Sequence, residues 1–209
     1  AALSPDLCVI GGRSAGPSVA AAAAAFGVPV VLLERARIGG DCLNYGCVPS
    51  KALIAAGKHA RWVADGARFG IEAGPAAIDF AAVHAHVHGV IASIAPTDSV
   101  ARFTGLGVRV IKGQGRFVDA GTVVVDGVAE IKARRFVIAT GSGPAIPPIP
   151  GLAETPYLTN ETVFDLTERP ERLVVIGGGA IGLELGQAFH RLGTEVTVIE
   201  AAVPLGRDD

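Results

Sequence analysis

The sequence is poor in cysteine and aromatic residues and has no excess of either charge. Three cysteines in 209 residues are too few to hold a chain of this length together by disulfides. The 18 basic and 20 acidic residues nearly balance, so there is no electrostatic footprint for nucleic acid or an anionic membrane surface. We therefore expect neither as a partner.

A secretion signal and an uninterrupted membrane span are also lacking. Residues 1–6 contain neither the basic region nor the apolar stretch of a signal peptide, and we expect a cytoplasmic protein. The uncharged run 14–33 is long enough to span a bilayer, but glycine and proline interrupt it. It is better interpreted as a helix, a turn and a strand of a buried α/β core.

Two segments, residues 6–34 and 172–200, share one pattern. Each has a short apolar run, a glycine-rich turn, a helix-forming stretch and a second apolar run closed by an acidic residue, which predicts a βαβ unit. The predicted strands are 6–10, 28–33, 108–111, 115–118, 122–125, 129–132, 135–139, 172–176 and 195–199, and the predicted helices are 14–26, 51–64, 79–94 and 183–192. We interpret the four strands within 108–132 as an antiparallel meander.

The glycines of both units are spaced as in dinucleotide-binding turns. In such a turn the first glycine reverses the chain, the second lets a pyrophosphate approach the helix N-terminus, and the third lets helix and strand pack closely. The acidic residue, Glu34 or Glu200, would accept hydrogen bonds from a ribose diol; the alternative is a solvated carboxylate at a strand end. The predicted nucleotide-binding residues are Gly11, Gly12, Arg13, Ser14 and Gly16 in the first turn, and Gly177, Gly179, Ala180, Ile181 and Gly182 in the second.

The first turn departs from this pattern because Arg13 stands where the middle glycine would be. Its side chain would crowd the pyrophosphate, although its charge could instead pair with phosphate. We expect crowding to dominate and weaken the site. In the second turn, Ala201 and Ala202 follow Glu200, so no basic residue is at hand to receive a ribose 2′-phosphate, which favours NAD over NADP.

Cys42 and Cys47 lie in a segment marked by glycine and proline. Structural thiols, a zinc site and a redox-active disulfide are all conceivable, but zinc would need two more ligands, and we expect no metal site. Residues five apart on a helix are rotated by about 140°, so a disulfide requires an irregular backbone between them. Gly46 and Pro49 permit one, and a helix N-terminus with Lys51 nearby would favour the reactive thiolate.

The segment Gly-Gly-Asp-Cys-Leu-Asn-Tyr-Gly-Cys-Val-Pro-Ser-Lys, residues 39–51, is similar to the active-site signature of the pyridine nucleotide-disulfide oxidoreductases. The order of motifs resembles the N-terminal part of that family over essentially the whole chain. The resemblance implies an α/β fold: a Rossmann-like FAD-binding domain, 1–149, with a parallel sheet and an antiparallel β-meander, then the start of a second Rossmann-like, NAD(P)-binding domain, 150–209. The cofactors it implies are FAD and NAD, with NADP less favoured.

The same resemblance implies roles for individual residues. Cys47 would be the thiolate against the flavin and Cys42 the outer thiol that attacks the substrate, while Lys51 would lie near the flavin ring and pair with Glu184. Family members often carry tyrosine at the position of Ala180, where the ring covers the nicotinamide site, so we expect a more open site here. Further FAD-binding residues implied by the motifs are Gly40, Asp41, Thr140, Gly141 and Ser142.

The implied reaction passes electrons between NADH, FAD and the Cys42–Cys47 disulfide, with a small-molecule or lipoyl-type disulfide as substrate. A dihydrolipoamide dehydrogenase-like enzyme is the first interpretation and a mercuric reductase-like enzyme the second. A nucleotide-binding module without catalysis is the alternative of another class. The His-Glu pair that the family uses for acid-base catalysis is not visible in this sequence, so we expect this chain alone to be incomplete and inactive, and the full-length protein to be a homodimer.

Overall fold

The computed structural model describes residues 1–72, 74 and 76–203. The chain divides into two compact units, one made of Ala1–Gly46 and Ile91–Glu161, the other of Cys47–Val90 and Thr162–Asp209. The predicted domain division after residue 149 stays a prediction, and its residues 204–209 lie outside the described part.

The helices and strands are numbered here in chain order. The strands are β1 Ala2–Leu3, β2 Leu7–Ile10, β3 Val30–Glu34, β4 Arg109–Lys112, β5 Arg116–Asp119, β6 Thr122–Val125, β7 Ala129–Lys132, β8 Arg135–Ile138, β9 Arg172–Ile176 and β10 Glu195–Ile199. The α-helices are α1 Ala15–Ala25, α2 Gly40–Asn44, α3 Cys47–Ala64, α4 Phe80–Ile94, α5 Val100–Gly105 and α6 Ala180–Arg191. Short 3₁₀ helices cover Gly66–Phe69, Ala95–Asp98, Leu152–Glu154 and Val163–Asp165.

The first unit is built on a parallel four-stranded sheet in the order β4-β3-β2-β8. Every residue of β3 is buried, as its continuous apolar sequence predicts for a strand covered on both faces. Alternate residues serve the two faces: Val9 and Leu32 pack in a cluster with Ala20 of α1, whereas Cys8 and Leu33 pack in a cluster with residues of β6 and β7. The predicted α/β fold with a parallel sheet is confirmed.

The meander is shorter than the sequence suggests. Strands β5, β6 and β7 are antiparallel neighbours and β1 joins β7 in parallel, so a second four-stranded sheet forms in the order β1-β7-β6-β5. The predicted strand 108–111 was assigned to this meander, which is wrong, because β4 pairs in parallel with β3. A strand pattern this short carries no signal for its partner strand, since pairing is decided by long-range packing such as the burial of Ile111.

The second unit contains β9 and β10, which pair in parallel over five residues, with α6 connecting them. Helix α6 packs against α3, where a Cβ placed on Gly57 would lie 3.0 Å from the carbonyl oxygen of Ala188. Two helices begin earlier than predicted: α3 at Cys47 rather than residue 51, and α6 at Ala180 rather than residue 183. Pro49 lies in the first turn of α3, where a missing N–H breaks no helical hydrogen bond.

No helix of the described residues has both the length and the apolar composition needed to cross a membrane. The run 14–33 forms α1, a turn and β3, as predicted.

Candidate nucleotide and thiol sites

The first glycine-rich turn connects β2 to α1. Gly11 has a φ of 110°, which an L side chain rarely adopts, and its N–H donates to the carbonyl of Leu33 at 2.8 Å. A Cβ on Gly16 would overlap the carbonyl oxygen of Gly11, so only glycine lets α1 approach the end of β2. The turn therefore has the backbone that the glycine spacing predicts.

Glu34, at the end of β3, is tied to the same turn. Its side chain accepts hydrogen bonds from the N–H groups of Gly12 at 2.5 Å and Ala36 at 2.6 Å. The residue is only 6% exposed, so its carboxylate is a buried part of the turn rather than a solvated strand end. Each carboxylate oxygen retains further acceptor capacity, and contact with a ribose stays a prediction.

The N-terminus of α1 follows directly. Ser14 precedes the helix and makes no side-chain capping bond, and no acidic residue lies in the first turn. The N–H groups of that turn thus keep the donor capacity and partial positive charge that bind anions at helix N-termini. Pro17 lies in this first turn, where its missing N–H breaks no helical hydrogen bond.

Arg13 lies across this N-terminal end, and its side chain is three-quarters buried, with 25% exposed. Its Nη1 donates to the carbonyl of Ser142 at 2.6 Å, and its guanidinium lies 3.8 Å from the carboxylates of Asp41 and Glu161. The charge is therefore compensated by the protein itself. Glu161 was not anticipated from the sequence, because no local pattern ties it to residue 13.

Residues 139–142 follow β8, which is the neighbour of β2. The N–H of Ala139 donates to the carbonyl of Ile10 at 2.8 Å, which brings Thr140, Gly141 and Ser142 to the same edge of the sheet as the first turn. Gly141 has a φ of 70°, and a Cβ there would overlap the Cδ of Arg13. The segment thus belongs to one cluster with the glycine turn.

Gly40, Asp41 and Cys42 lie in the short helix α2, which follows a left-handed Gly39. Gly40 has a φ of 52°, and a Cβ there would overlap Arg13, so the backbone of α2 touches that side chain closely. Cys42 is partly exposed. Gly40 and Asp41 therefore share the cluster of Arg13 and the first turn.

The backbone between Cys42 and Cys47 is irregular, as a disulfide between them would require. Helix α2 ends at Asn44, Tyr45 has a φ of −140°, and α3 begins at Cys47. A Cβ on Gly46 would lie 3.0 Å from the carbonyl oxygen of Asp41, so glycine allows the chain to turn back tightly on α2. The predicted irregularity is confirmed, whereas the redox role stays a prediction.

Asn160 fixes this bend and was missed by the sequence analysis. Its Nδ2 lies 3.2 Å from Asp41 Oδ1 and 3.4 Å from the carbonyl oxygen of Tyr45, so one amide group contacts both ends of α2. Asn160 is separated from α2 by more than a hundred residues, and nothing in its neighbourhood in the sequence signals the contact.

The second turn repeats the first in detail. Gly177 has a φ of 115° and donates to the carbonyl of Ile199 at 2.9 Å, and a Cβ on Gly182 would overlap the carbonyl oxygen of Gly177. Glu200 accepts from the N–H groups of Gly178 at 2.6 Å and Ala202 at 3.0 Å. The two units thus share one local structure as well as one sequence spacing.

Space is the difference between the two turns. A Cβ on Gly179 would meet no atom of the described residues within 4 Å, so the position that corresponds to Arg13 is open among them. Helix α6 begins at Ala180 without a side-chain cap, and Ile181 is 66% exposed. The second turn therefore leaves its helix N-terminus accessible, which suits a pyridine nucleotide.

Cys47 and Lys51 lie one turn apart on α3, and the Cys47 thiol is exposed and free. Lys51 Nζ lies 2.7 Å from Glu184 Oε2 of α6, so the contact that the family resemblance implied is present. Both side chains are about half exposed, and their catalytic roles stay predictions. Cys8 differs, because its complete burial raises the pKa of its thiol to about 11 and leaves it protonated.

The backbone of the first turn fits the ADP part of FAD, because the helix N-terminus has no side-chain cap and an acidic residue lies beside the turn. The Arg13 side chain, however, fills part of the space next to Gly40 and Gly141. His84 and His88 lie one turn apart on α4, and His88 Nε2 is 3.1 Å from the carbonyl oxygen of Phe164. Among the described residues there is no group of three side chains placed to ligate a metal ion.

Comparison with known proteins agrees with this arrangement. Residues 5–207 match the family model described as pyridine nucleotide-disulphide oxidoreductase. The chain is 40% identical over 195 residues to a mercuric reductase of Lysinibacillus sphaericus, covering 93% of this chain and 36% of that protein. It is 40% identical over 203 residues to a dihydrolipoyl dehydrogenase of Thermus scotoductus, covering 93% and 42%.

Among solved structures, the HOCl-induced flavoprotein disulfide reductase RclA from Escherichia coli superposes with a TM-score of 0.83 at 29% identity, over 97% of this chain and 43% of that one. The chain thus spans between about a third and a half of the length of these relatives. The fold, both glycine turns and the family match agree, and the chain belongs to the pyridine nucleotide-disulphide oxidoreductase family.

Proposed function

We propose that this chain provides the nucleotide-binding and thiol-bearing part of an FAD-dependent oxidoreductase in which NADH, FAD and the Cys42–Cys47 pair exchange electrons. The observation that carries the proposal is the duplicated turn. Gly12 and Gly178 donate to Glu34 and Glu200 with nearly equal bonds of 2.5 and 2.6 Å, in a chain that also holds the two-cysteine segment. Two such turns suit two different dinucleotides.

The chain's own residues bind and orient in this proposal. The N-terminus of α1 and Glu34 hold the first dinucleotide, and the N-terminus of α6 and Glu200 hold the second. FAD, when bound, supplies the two-electron chemistry that links a nicotinamide to a disulfide. Cys47 is the first residue of α3, with Lys51 one turn on, and in this proposal its thiol faces the flavin.

The preferred pyridine nucleotide in this proposal is NADH. The Glu200 carboxylate is held at the turn by two backbone N–H groups, and it would repel a 2′-phosphate while accepting bonds from a free ribose diol. Neither Ala201 nor Ala202 offers a compensating charge. Titrating the chain with NADH and NADPH tests this, and tighter binding of NADPH would contradict it.

The electron acceptor we favour is a disulfide of lipoyl or similar small-molecule type. Hg(II) is the second candidate, because the chain is 40% identical to a mercuric reductase as well as to a dihydrolipoyl dehydrogenase. The gene product that contains this chain should be assayed with lipoamide and with Hg(II) in parallel. Turnover of lipoamide alone supports the first candidate, and turnover of Hg(II) alone supports the second.

The redox pair can be tested on the chain itself. The chain is saturated with FAD, oxidised, and then reduced anaerobically with dithionite, and the alkylated cysteines are counted by mass spectrometry in the native state. We expect Cys42 and Cys47 to become alkylated only after reduction, and Cys8 to remain unmodified. Cys42→Ser should leave Cys47 alkylated without any reductant. Equal labelling before and after reduction would instead favour a nucleotide-binding module without catalysis.

A further inference from the structure

We infer that the Arg13 side chain is a built-in occupant of the first dinucleotide site, so that a pyrophosphate binds there only when the guanidinium leaves. This inference rests on the proposed function insofar as it takes the first turn to be a dinucleotide site. The neighbours of Arg13 hold its side chain within the turn rather than in solvent.

The stem of Arg13 fills the space that two glycines leave open. A Cβ on Gly40 would overlap its Cγ, and a Cβ on Gly141 would overlap its Cδ. At Gly179, the position of the second turn that corresponds to Arg13, a Cβ would meet no atom of the described residues within 4 Å. In a dinucleotide turn this is the position where the missing side chain lets the pyrophosphate approach. The stem and a pyrophosphate therefore compete for one volume.

The guanidinium is held in place by the protein. Nη1 donates to the Ser142 carbonyl at 2.6 Å, and Asp41 and Glu161 each lie 3.8 Å from the guanidinium nitrogens. A phosphate would have to replace these partners before it could use the charge. The positive charge of Arg13 is thus already compensated by two carboxylates. The remaining effect of the side chain on a pyrophosphate is steric.

When Arg13 is replaced, the carboxylates of Asp41 and Glu161 lose their positive partner and can repel a bound pyrophosphate. Their side chains are 42% and 40% exposed, so water and salt screen them. Binding should therefore be measured at about 0.15 M salt, where the Debye length is about 8 Å. Under these conditions we expect the gain in space to exceed the residual repulsion.

The first experiment measures the Kd of FAD by quenching of flavin fluorescence for the apo chain, with Arg13→Gly and Arg13→Gln beside it. We expect Arg13→Gly to bind FAD at least about tenfold more tightly, a change of about 1.4 kcal/mol. Arg13→Gln keeps most of the bulk but loses the ion pairs. Its affinity for FAD should therefore lie between that of the unchanged chain and that of Arg13→Gly. Equal or weaker FAD binding by Arg13→Gly overturns the inference.

The second experiment needs no ligand. Gly141→Ala is made with Arg13 and with Arg13→Gly, and the melting temperatures are compared. The cost of the positive φ is common to both backgrounds, whereas the overlap with the arginine stem exists only in the first. We expect Gly141→Ala to lower the Tm by at least about 4 °C more when Arg13 is present. Equal losses mean that the stem is not held over Gly141, and the inference fails.

The first experiment separates this inference from the proposed function. If neither the chain nor Arg13→Gly binds FAD, the first turn is not a dinucleotide site, and both proposals fail. If both proteins bind FAD equally well, the dinucleotide site stands and the competition with Arg13 is refuted.

Discussion

The backbone N–H of Gly12 donates a 2.5 Å hydrogen bond to the carboxylate of Glu34, two residues that lie 22 positions apart in the sequence. The bond joins the turn after the first core strand to the end of the second. The acidic residue is therefore a structural part of the turn before any nucleotide is present. Its partner in the second unit, Glu200, makes the same bond but is exposed.

This difference in burial predicts a difference in stability. Glu34→Gln leaves one amide oxygen for two N–H donors in a buried setting, and we expect the free energy of unfolding to fall by about 1.5–3 kcal/mol. Glu200→Gln, at an exposed position, should cost less than about 1 kcal/mol. Urea unfolding of both variants checks this. A larger loss for Glu200→Gln would contradict the structural role assigned to Glu34.

Alanine substitution should destabilise the fold strongly at Gly182, the third glycine of the second turn, and only slightly at Gly179, the middle one. Gly182→Ala forces a Cβ into the carbonyl oxygen of Gly177, and we expect a loss of at least about 2 kcal/mol in the free energy of unfolding. Gly179→Ala meets no atom and should cost under about 1 kcal/mol.

For NADH affinity, the middle glycine is the more important of the two. Because the middle position is where a pyrophosphate would approach, Gly179→Ala should weaken NADH binding by about tenfold or more while the protein stays folded. Thermal melts and isothermal titration on the same sample give both quantities. Unchanged NADH affinity in folded Gly179→Ala would remove the second turn as the nucleotide site.

Cys8 makes stability depend on alkaline pH. Burial raises the pKa of its thiol from 9.0 to about 11 in the folded chain. Between these values the unfolded chain has lost the proton that the folded chain retains, so the free energy of unfolding falls as pH rises, with a limiting slope of about 1.4 kcal/mol per pH unit. Below pH 9 both states are protonated and the effect vanishes.

The measurement is urea unfolding at pH 8 to 11 under a reducing agent, with Cys8→Ala as the reference. Other groups titrate in both proteins, so the difference between the two curves isolates the thiol. We expect the stability advantage of the chain over Cys8→Ala to shrink from pH 9 to pH 11. An unchanging difference would mean that the thiol is not held protonated by burial.

Asn160 is distant in sequence from the cysteine segment but contacts it directly, and we expect it to stabilise that segment. Asn160→Ala removes the amide that contacts Asp41 and the Tyr45 carbonyl, and we expect a loss of about 0.5–1.5 kcal/mol together with faster alkylation of Cys42. Asn160→Asp places a carboxylate beside Asp41 and should be at least as damaging. Labelling rates at Cys42 and Cys8, followed by mass spectrometry, distinguish local loosening from global unfolding, which would expose both.

The sequence predicted the local structure well wherever glycine geometry or an apolar run decides it. The strands β9 and β10 lie where the pattern placed them, and the third glycines, Gly16 and Gly182, prove to be packing residues. The break between α2 and α3 followed from the geometry of a disulfide. These features depend on neighbours in sequence, which a pattern can report.

What the sequence did not predict depends on long-range contacts. The pairing of β4 with β3 and the contact of Asn160 with α2 both join segments that are distant in sequence. Arg13 belongs to both classes. Its presence in the turn was evident from the sequence, but its compensation by Asp41 and Glu161 was not, since Glu161 is nearly 150 residues away.

Gly40 and Gly141 leave space beside the first turn because they have no side chains. Glycine backbone leaves space without selecting what fills it. The space beside Gly40 and Gly141 can hold part of a cofactor or a long side chain from a neighbouring residue, as Arg13 shows. If Arg13 and a pyrophosphate compete as proposed, one side chain is enough to close a ligand site whose glycines and strands are all in place.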